Sequence, residues 1–302
     1  WELSMSWNDR IGEGSYSIGF NLSDARSFIT KYKNETKSLD MPYYEGMELG
    51  EIWGYVTDRL YTVDDFVEGT LQTTSDGVLT GGVLKDGIPH FEGTSPNPGD
   101  VLFKYPDENG LIWESTNTVD DPGSRRIIGN NTSRLLYGIN GNVSWKGFNL
   151  SFLLQGVGKR DLWMRNCLTT PFPSSVDYAL YDHLLDYWTP DNTDAYFARV
   201  YRVTNNANST ANSQVQTRYL FDASYLDIKS VQLSYTFPKT WLKKASIDSL
   251  SVFVNGENLY SFNHMPRGIH PDSKVRGTSS IGSTGMTYPV MRKFTFGVNL
   301  SF

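Results

Sequence analysis

A chain of 302 residues with a net charge of -6 and no basic stripe offers little purchase to nucleic acid. Every apolar stretch falls short of the ~18 residues that a membrane-spanning helix needs, which excludes helical spans but not spanning strands. The one cysteine, Cys167, excludes an intrachain disulfide and reads as an incidental loop residue. Aromatic residues at 14%, amid plentiful Asn, Ser, Thr and Gly, favour strands and turns over helices.

Period-two alternation puts every second side chain on one face of a sheet, and it recurs seven times along the chain. Trp1, Leu3, Met5 and Trp7 alternate with Glu2, Ser4 and Ser6; Tyr16, Ile18, Phe20 and Leu22 follow in the same manner. Trp1 stands where an initiator Met would, already inside an alternating run. The expectation is a processed or truncated chain that lacks its signal peptide. Next come Tyr137, Ile139, Gly141, Val143 and Trp145, then, after Lys146-Gly147, Phe148, Leu150, Phe152 and Leu154. Val231, Leu233, Tyr235 and Phe237 form the fifth run, and Leu250, Val252, Val254 and Gly256 the sixth. Phe294, Phe296, Val298, Leu300 and Phe302 close the chain. None of these apolar-side positions is charged; a Lys or Arg at the midplane of a barrel's lipid face costs roughly 2–4 kcal/mol.

A soluble β-sandwich alternates in the same way, with its apolar face turned inward. Connection lengths separate the two readings. Short links at 8–14, 146–147 and 238–249 alternate with long ones at 23–136, 156–218 and 257–287, the pattern of short periplasmic turns and long extracellular loops. Trp7, Tyr16, Trp145, Phe148, Tyr235, Phe237 and Phe302 fall at the short-turn end as an interfacial girdle, with Tyr137, Tyr260 and Tyr288 toward the other rim. The expected fold is therefore all-β: about seven strands of a larger transmembrane antiparallel barrel. Single-chain bacterial barrels have even strand numbers, so seven strands are expected to be an incomplete wall.

Several ordered segments resemble the C-terminal third of the SusC/RagA-like TonB-dependent outer-membrane transporters of Bacteroidetes. They are Gly50–Tyr55 (GEIWGY), Pro98–Tyr105 (PGDVLFKY), Arg125–Asn130 (RRIIGN), Tyr137–Gly156, Tyr187–Asn192 (YWTPDN), Asp222–Pro238, Ser249–Phe262 and Phe294–Phe302. The resemblance implies a 22-stranded barrel with an N-terminal plug, a SusD-like surface lipoprotein as partner, and energy from the TonB complex through an N-terminal box. Residues 1–302 would then be the C-terminal portion of such a receptor, without plug or signal peptide. One departure from the family is the turn Asp107-Glu108-Asn109-Gly110-Leu111, which lacks a second Asp-Gly. It offers few of the six to eight oxygens that calcium wants and reads as a plain turn.

Catalytic and metal chemistry find little support. His90, His183, His264 and His270 sit on separate loops without metal-ligand spacing, and no nucleophile elbow or phosphate loop occurs. Asp64-Asp65 and Asp120-Asp121 read as solvated loop carboxylates and not as glycosidase acids. Triplets such as Asn142-Val143-Ser144 are by-products of a polar face rich in Asn and Ser. The loop aromatics Trp53, Tyr55, Trp113, Trp163, Tyr187 and Trp188 could stack on sugars, or could pack loop against loop or against a partner; Trp53, Trp113, Trp163 and Trp188 are the candidate ligand contacts. The expectation is a non-enzymatic, cofactor-free part of an importer for oligosaccharides or peptides, embedded in outer-membrane lipid. A passive porin-like channel and a soluble glycan-binding module are the alternatives.

Overall fold

The structure, a computed structural model, describes residues 1–75, 77–113, 116–164, 171, 182–201, 207–243, 246–266, 269–272 and 290–302. Cys167 and Tyr288 lie outside the described residues, as does the His183 side chain.

All seven alternating runs are strands of one antiparallel sheet. They are β1 (Glu2–Ile11), β2 (Gly14–Ser23), β3 (Arg134–Trp145), β4 (Phe148–Lys159), β5 (Tyr225–Thr236), β6 (Ser249–Asn263) and β7 (Lys293–Ser301), hydrogen-bonded in chain order with β1 and β7 at the edges. The strands run further than hydropathy indicates. β1 continues through Asn8, Asp9 and Arg10, and β6 extends to Asn263, because pairing persists after the side chains turn polar.

Register carries the alternation across the sheet. One row of opposed residues reads Trp7, Ile18, Gly141, Phe152, Val231, Gly256 and Phe294; the next reads Tyr16, Val143, Leu150, Leu233, Val254 and Phe296. These side chains lie on the outside of the sheet, where Leu233 is 44% and Phe296 79% accessible while Tyr16, Phe152, Val231 and Val254 are half-buried among their neighbours. Gly141 has a structural reason, since a Cβ there would come within 2.4 Å of the Phe152 ring that covers it.

β5 breaks the parity once. Leu153 and Leu154 of β4 face Ser230 and Ile228, so Lys229 is an extra, unpaired residue, a β-bulge. Without it, Lys229 and Asp227 would share the face of Val231 and Leu233. With it, Ile228 and Leu226 continue the apolar face opposite Tyr260 and Phe262, and Lys229 bonds Asp227 at 2.8 Å.

The long connections fold into a loop body with a core of its own. Glu51–Gly54 pairs with Arg126–Asn130, and Thr57–Leu60 with Val101–Phe103, so GEIWGY joins RRIIGN while PGDVLFKY supplies an inner strand. Tyr55, Val101, Phe103, Ile112, Leu184, Trp188 and Tyr219 are buried together. Gly99 adopts φ +89°, and a Cβ there would lie 2.2 Å from the Trp188 ring, so the Pro98-Gly99-Asp100 turn and Trp188 of the YWTPDN segment require each other. Beneath them Asp100 accepts hydrogen bonds from the Asn97 amide (2.8 Å), Tyr201 hydroxyl (2.6 Å) and Asn212 Nδ2 (2.7 Å), and Asn212 Oδ1 accepts the Val101 amide at 2.8 Å. Burial pushes the Asp100 carboxyl up to about 6 despite these donors.

Leu233→Arg should destabilise the folded wall by about 2–4 kcal/mol, whereas Gln232→Arg on the opposite face should cost under about 1 kcal/mol, read from denaturant-titrated folding of the full-length chain into vesicles. Trp188→Ala should cost the loop body about 3–5 kcal/mol and raise hydrogen exchange at 97–103 while leaving β3 and β4 protected.

Candidate functional site

The face opposite the apolar rows is built from hydroxyls and amides. Its central row runs Asn8, Ser17, Asn142, Ser151, Gln232, Asn255 and Thr295, one residue from every strand and none charged. The row on its short-turn side reads Arg10, Ser15, Ser144, Asn149, Ser234, Phe253 and Gly297, and there the Phe253 ring lies over Gly297, whose Cβ would meet it at 2.2 Å. On the long-loop side, Ser6, Gly19, Asn140, Leu153, Ser230, Glu257 and Lys293 bring the first charges on β6 and β7. Asn140 and Asn21 lean over Gly19 and Gly138, where a Cβ would clash at 2.5 and 2.4 Å, so close strand approach and a carpet of side-chain amides come together. Such a wall offers hydrogen bonds to a neutral solute and holds no strong fixed charge in its middle.

Charge gathers where the long loops leave the strands. Arg134 bonds both oxygens of Asp24, one at 2.5 Å, and reaches Glu48 at 3.4 Å; Arg26 also pairs with Glu48. The Arg134 guanidinium holds the Asp24 carboxyl down at about 2. On the polar side Asp227, buried at 3% exposure, also accepts from His270 at 3.1 Å, and Arg160 donates to the Pro271 carbonyl at 3.2 Å. Both contacts dock residues 269–272 onto the wall. Val157 and Tyr225 are buried at this end, where the described loop residues meet the wall.

The candidate aromatics fare differently. Trp188 is buried over Gly99, and Tyr55 is 1% exposed, packed edge-on to Phe91 at 5.0 Å. Trp163 and Tyr187 are half-buried against the same core, and Trp53 is half-buried on the strand that pairs with Arg126–Asn130. Trp113 is 39% exposed, with its amide bonded to Ser124 Oγ at 3.3 Å. Tyr105, which composition did not single out, is 50% exposed beneath the Arg126 guanidinium at 5.0 Å. These two rings flank the Asp107–Gly110 turn, where Asp107 Oδ1 accepts the amides of Asn109 (2.9 Å) and Leu111 (2.7 Å). The carboxylate there closes its own turn, as the sequence indicates.

Of the remaining histidines, His264 lies 3.4 Å from Asp222, and His90 is half-buried. Among the described residues no three His, Cys, Asp or Glu side chains form a metal-binding group.

No protein-family profile matches the chain. Curated relatives are TonB-dependent receptors of Formosa agariphila. Receptor P3 is 27% identical over 265 residues, covering 85% of this chain and 22% of the relative; receptor P39 is 24% identical over 338, covering 100% and 30%. Among solved structures, the RagAB peptide transporter superposes with a TM-score of 0.64 at 17% identity, over all of this chain and 28% of that one. The RagAB peptide importer in its open-open state gives 0.60 at the same identity. The chain thus spans under a third of the length of the proteins it matches. In sequence the chain is thus similar to TonB-dependent receptors, and its fold is that of part of the RagAB transporter structures.

Proposed function

We propose that the chain is the C-terminal wall and loop portion of a TonB-dependent importer that takes up neutral oligosaccharides or peptides handed over by a SusD-like surface lipoprotein. The observation that carries this reading is the uncharged central row, contributed by all seven strands, beneath a loop body with its own packed core. A neutral, hydrogen-bonding wall binds such solutes weakly and repeatedly, so that they can enter and also leave. The kinship with TonB-dependent receptors and the likeness to a peptide importer support energised uptake. Further strands from a longer chain would pair with β1 and β7, whose edge amides hydrocarbon would otherwise leave unbonded. On this reading the chain performs no catalysis and needs no cofactor. Trp113, with Tyr105 beside it, is the ligand-contact candidate that solvent reaches, while Trp53, Trp163 and Trp188 shape the loops.

Cells expressing the full-length receptor should accumulate labelled oligosaccharide or peptide only while TonB is present. Uptake that persists without TonB would make the protein a passive channel. Trp113→Ala should weaken cargo capture about tenfold, measured by cargo titration of the purified receptor, with thermal stability unchanged. An unaltered affinity removes Trp113 from the site.

A further inference from the structure

We infer that the outer face of β4–β7, at the short-turn end, holds one anionic phospholipid: an acyl chain in a groove on the wall and a headgroup at the β5–β6 connection. The proposal rests on the outer-membrane placement of the sheet and is independent of what the receptor imports.

The groove encloses about 530 Å3 and follows from register. Two neighbouring rows cross here. One opposes Phe148, Tyr235, Val252 and Val298; the other opposes Leu150, Leu233, Val254 and Phe296. Phe148 and Tyr235, with ring centroids 4.6 Å apart, raise one wall, and Phe296 raises the other. Leu233, Val252 and Val254 form a lower floor between them. A flat lipid-facing sheet meets many interchangeable chains; a channel with ring walls and a floor of short side chains holds one chain in van der Waals contact on three sides.

The headgroup end is marked by a ladder of rings that leaves the strand. Tyr235 contacts Phe237 at 5.0 Å, and Phe237 contacts Trp241 at 6.2 Å. Trp241 belongs to the helical turn Lys239–Leu242, entered through Pro238, whose buried Leu242 fastens the turn to the barrel end. The adjacent Trp241 is 67% exposed, a cost in water and a gain at the bilayer interface, where indole rings are favoured. Lys239 and Lys243 flank it, both exposed. Two exposed cations either side of an interfacial Trp complement an anionic phosphate. Ring ladder, groove and lysines are continuous with the membrane face and lead from one to the next, which singles out a lipid as occupant over a protein partner.

The test uses the full-length receptor, delipidated in detergent and offered phosphatidylglycerol or phosphatidylcholine, with bound lipid counted by native mass spectrometry. One tightly retained phosphatidylglycerol is expected, in preference to phosphatidylcholine. K239E combined with K243E should reduce its retention by at least about fivefold, with phosphatidylcholine unaffected. Val254→Trp, which fills the groove floor, should reduce retention of both. Trp241→Ala, remote from the strand ladder, reports on the same site if Val254→Trp fails to fold. Equal retention of the two lipids by the parent, or phosphatidylglycerol binding untouched by the double lysine reversal, would overturn the proposal.

Discussion

Hydrocarbon neither bonds a stray amide nor solvates a charge, and this one constraint organises the chain. It requires a continuous ladder and assigns one side-chain parity to lipid through the span; on β1 a charge, Asp9 opposite Tyr16, takes that parity only at the short-turn end. β5 shows how strictly the assignment holds. Its charged residues at 227 and 229 fall on the wrong parity, and a single bulge at Lys229 exchanges them for Leu226 and Ile228. The two displaced charges then neutralise each other on the polar side. Inserting an extra residue disrupts the ladder locally, which is a smaller cost than a cation facing lipid.

Beyond the rim the solvent changes, and so do the devices. The loop body buries what a lipid-facing surface could not tolerate: a carboxylate at Asp100, the amides of Asn97, Asn212 and Gln216, and the guanidinium-bearing Arg199. Each is surrounded by donors or acceptors from chain segments far apart in sequence, such as 97–101 with 199–216. A loop body held by polar networks and a separate aromatic core can vary its outline while the wall beneath it keeps its register.

This division also explains what could be read in advance. Seven strands, their order and the placing of short and long connections were legible because period two is a local property, visible within ten residues. Strand ends were not, since β1 and β6 continue paired where the side chains cease to be apolar. The bulge was legible in principle: apolar residues stand at even positions 226 and 228 and at odd positions 231, 233 and 235. Pairing within the loop body was not, because nothing in GEIWGY names RRIIGN, some 75 residues away, as its partner. The loop tryptophans show the same limit. Trp188 and Trp113 each follow an apolar residue, Tyr187 and Ile112, and precede a polar one, and the packing of Trp188 over the distant Gly99 is invisible at that range.

The distribution of charge on the polar face sets where selectivity can reside. On the proposed importer reading, a solute in the central row would meet amides and hydroxyls alone, interchangeable partners that distinguish poorly among neutral oligosaccharides and peptides. Apart from Arg10 at the short-turn end, the charge clusters, buried hydrogen bonds and exposed rings lie at the long-loop end, in Asp24–Arg134–Glu48, Asp227–Lys229–His270 and the Tyr105–Trp113 segment. Discrimination built from such groups depends on their being held in place. The contacts that hold them also tie loop to wall: Asp227 of β5 to His270, and Arg134 of β3 to Asp24 and Glu48. On the proposed importer reading, a displacement of the loops therefore disturbs rim chemistry before it disturbs the wall. On the same reading, recognition and passage fall to parts of the chain that answer to different solvents.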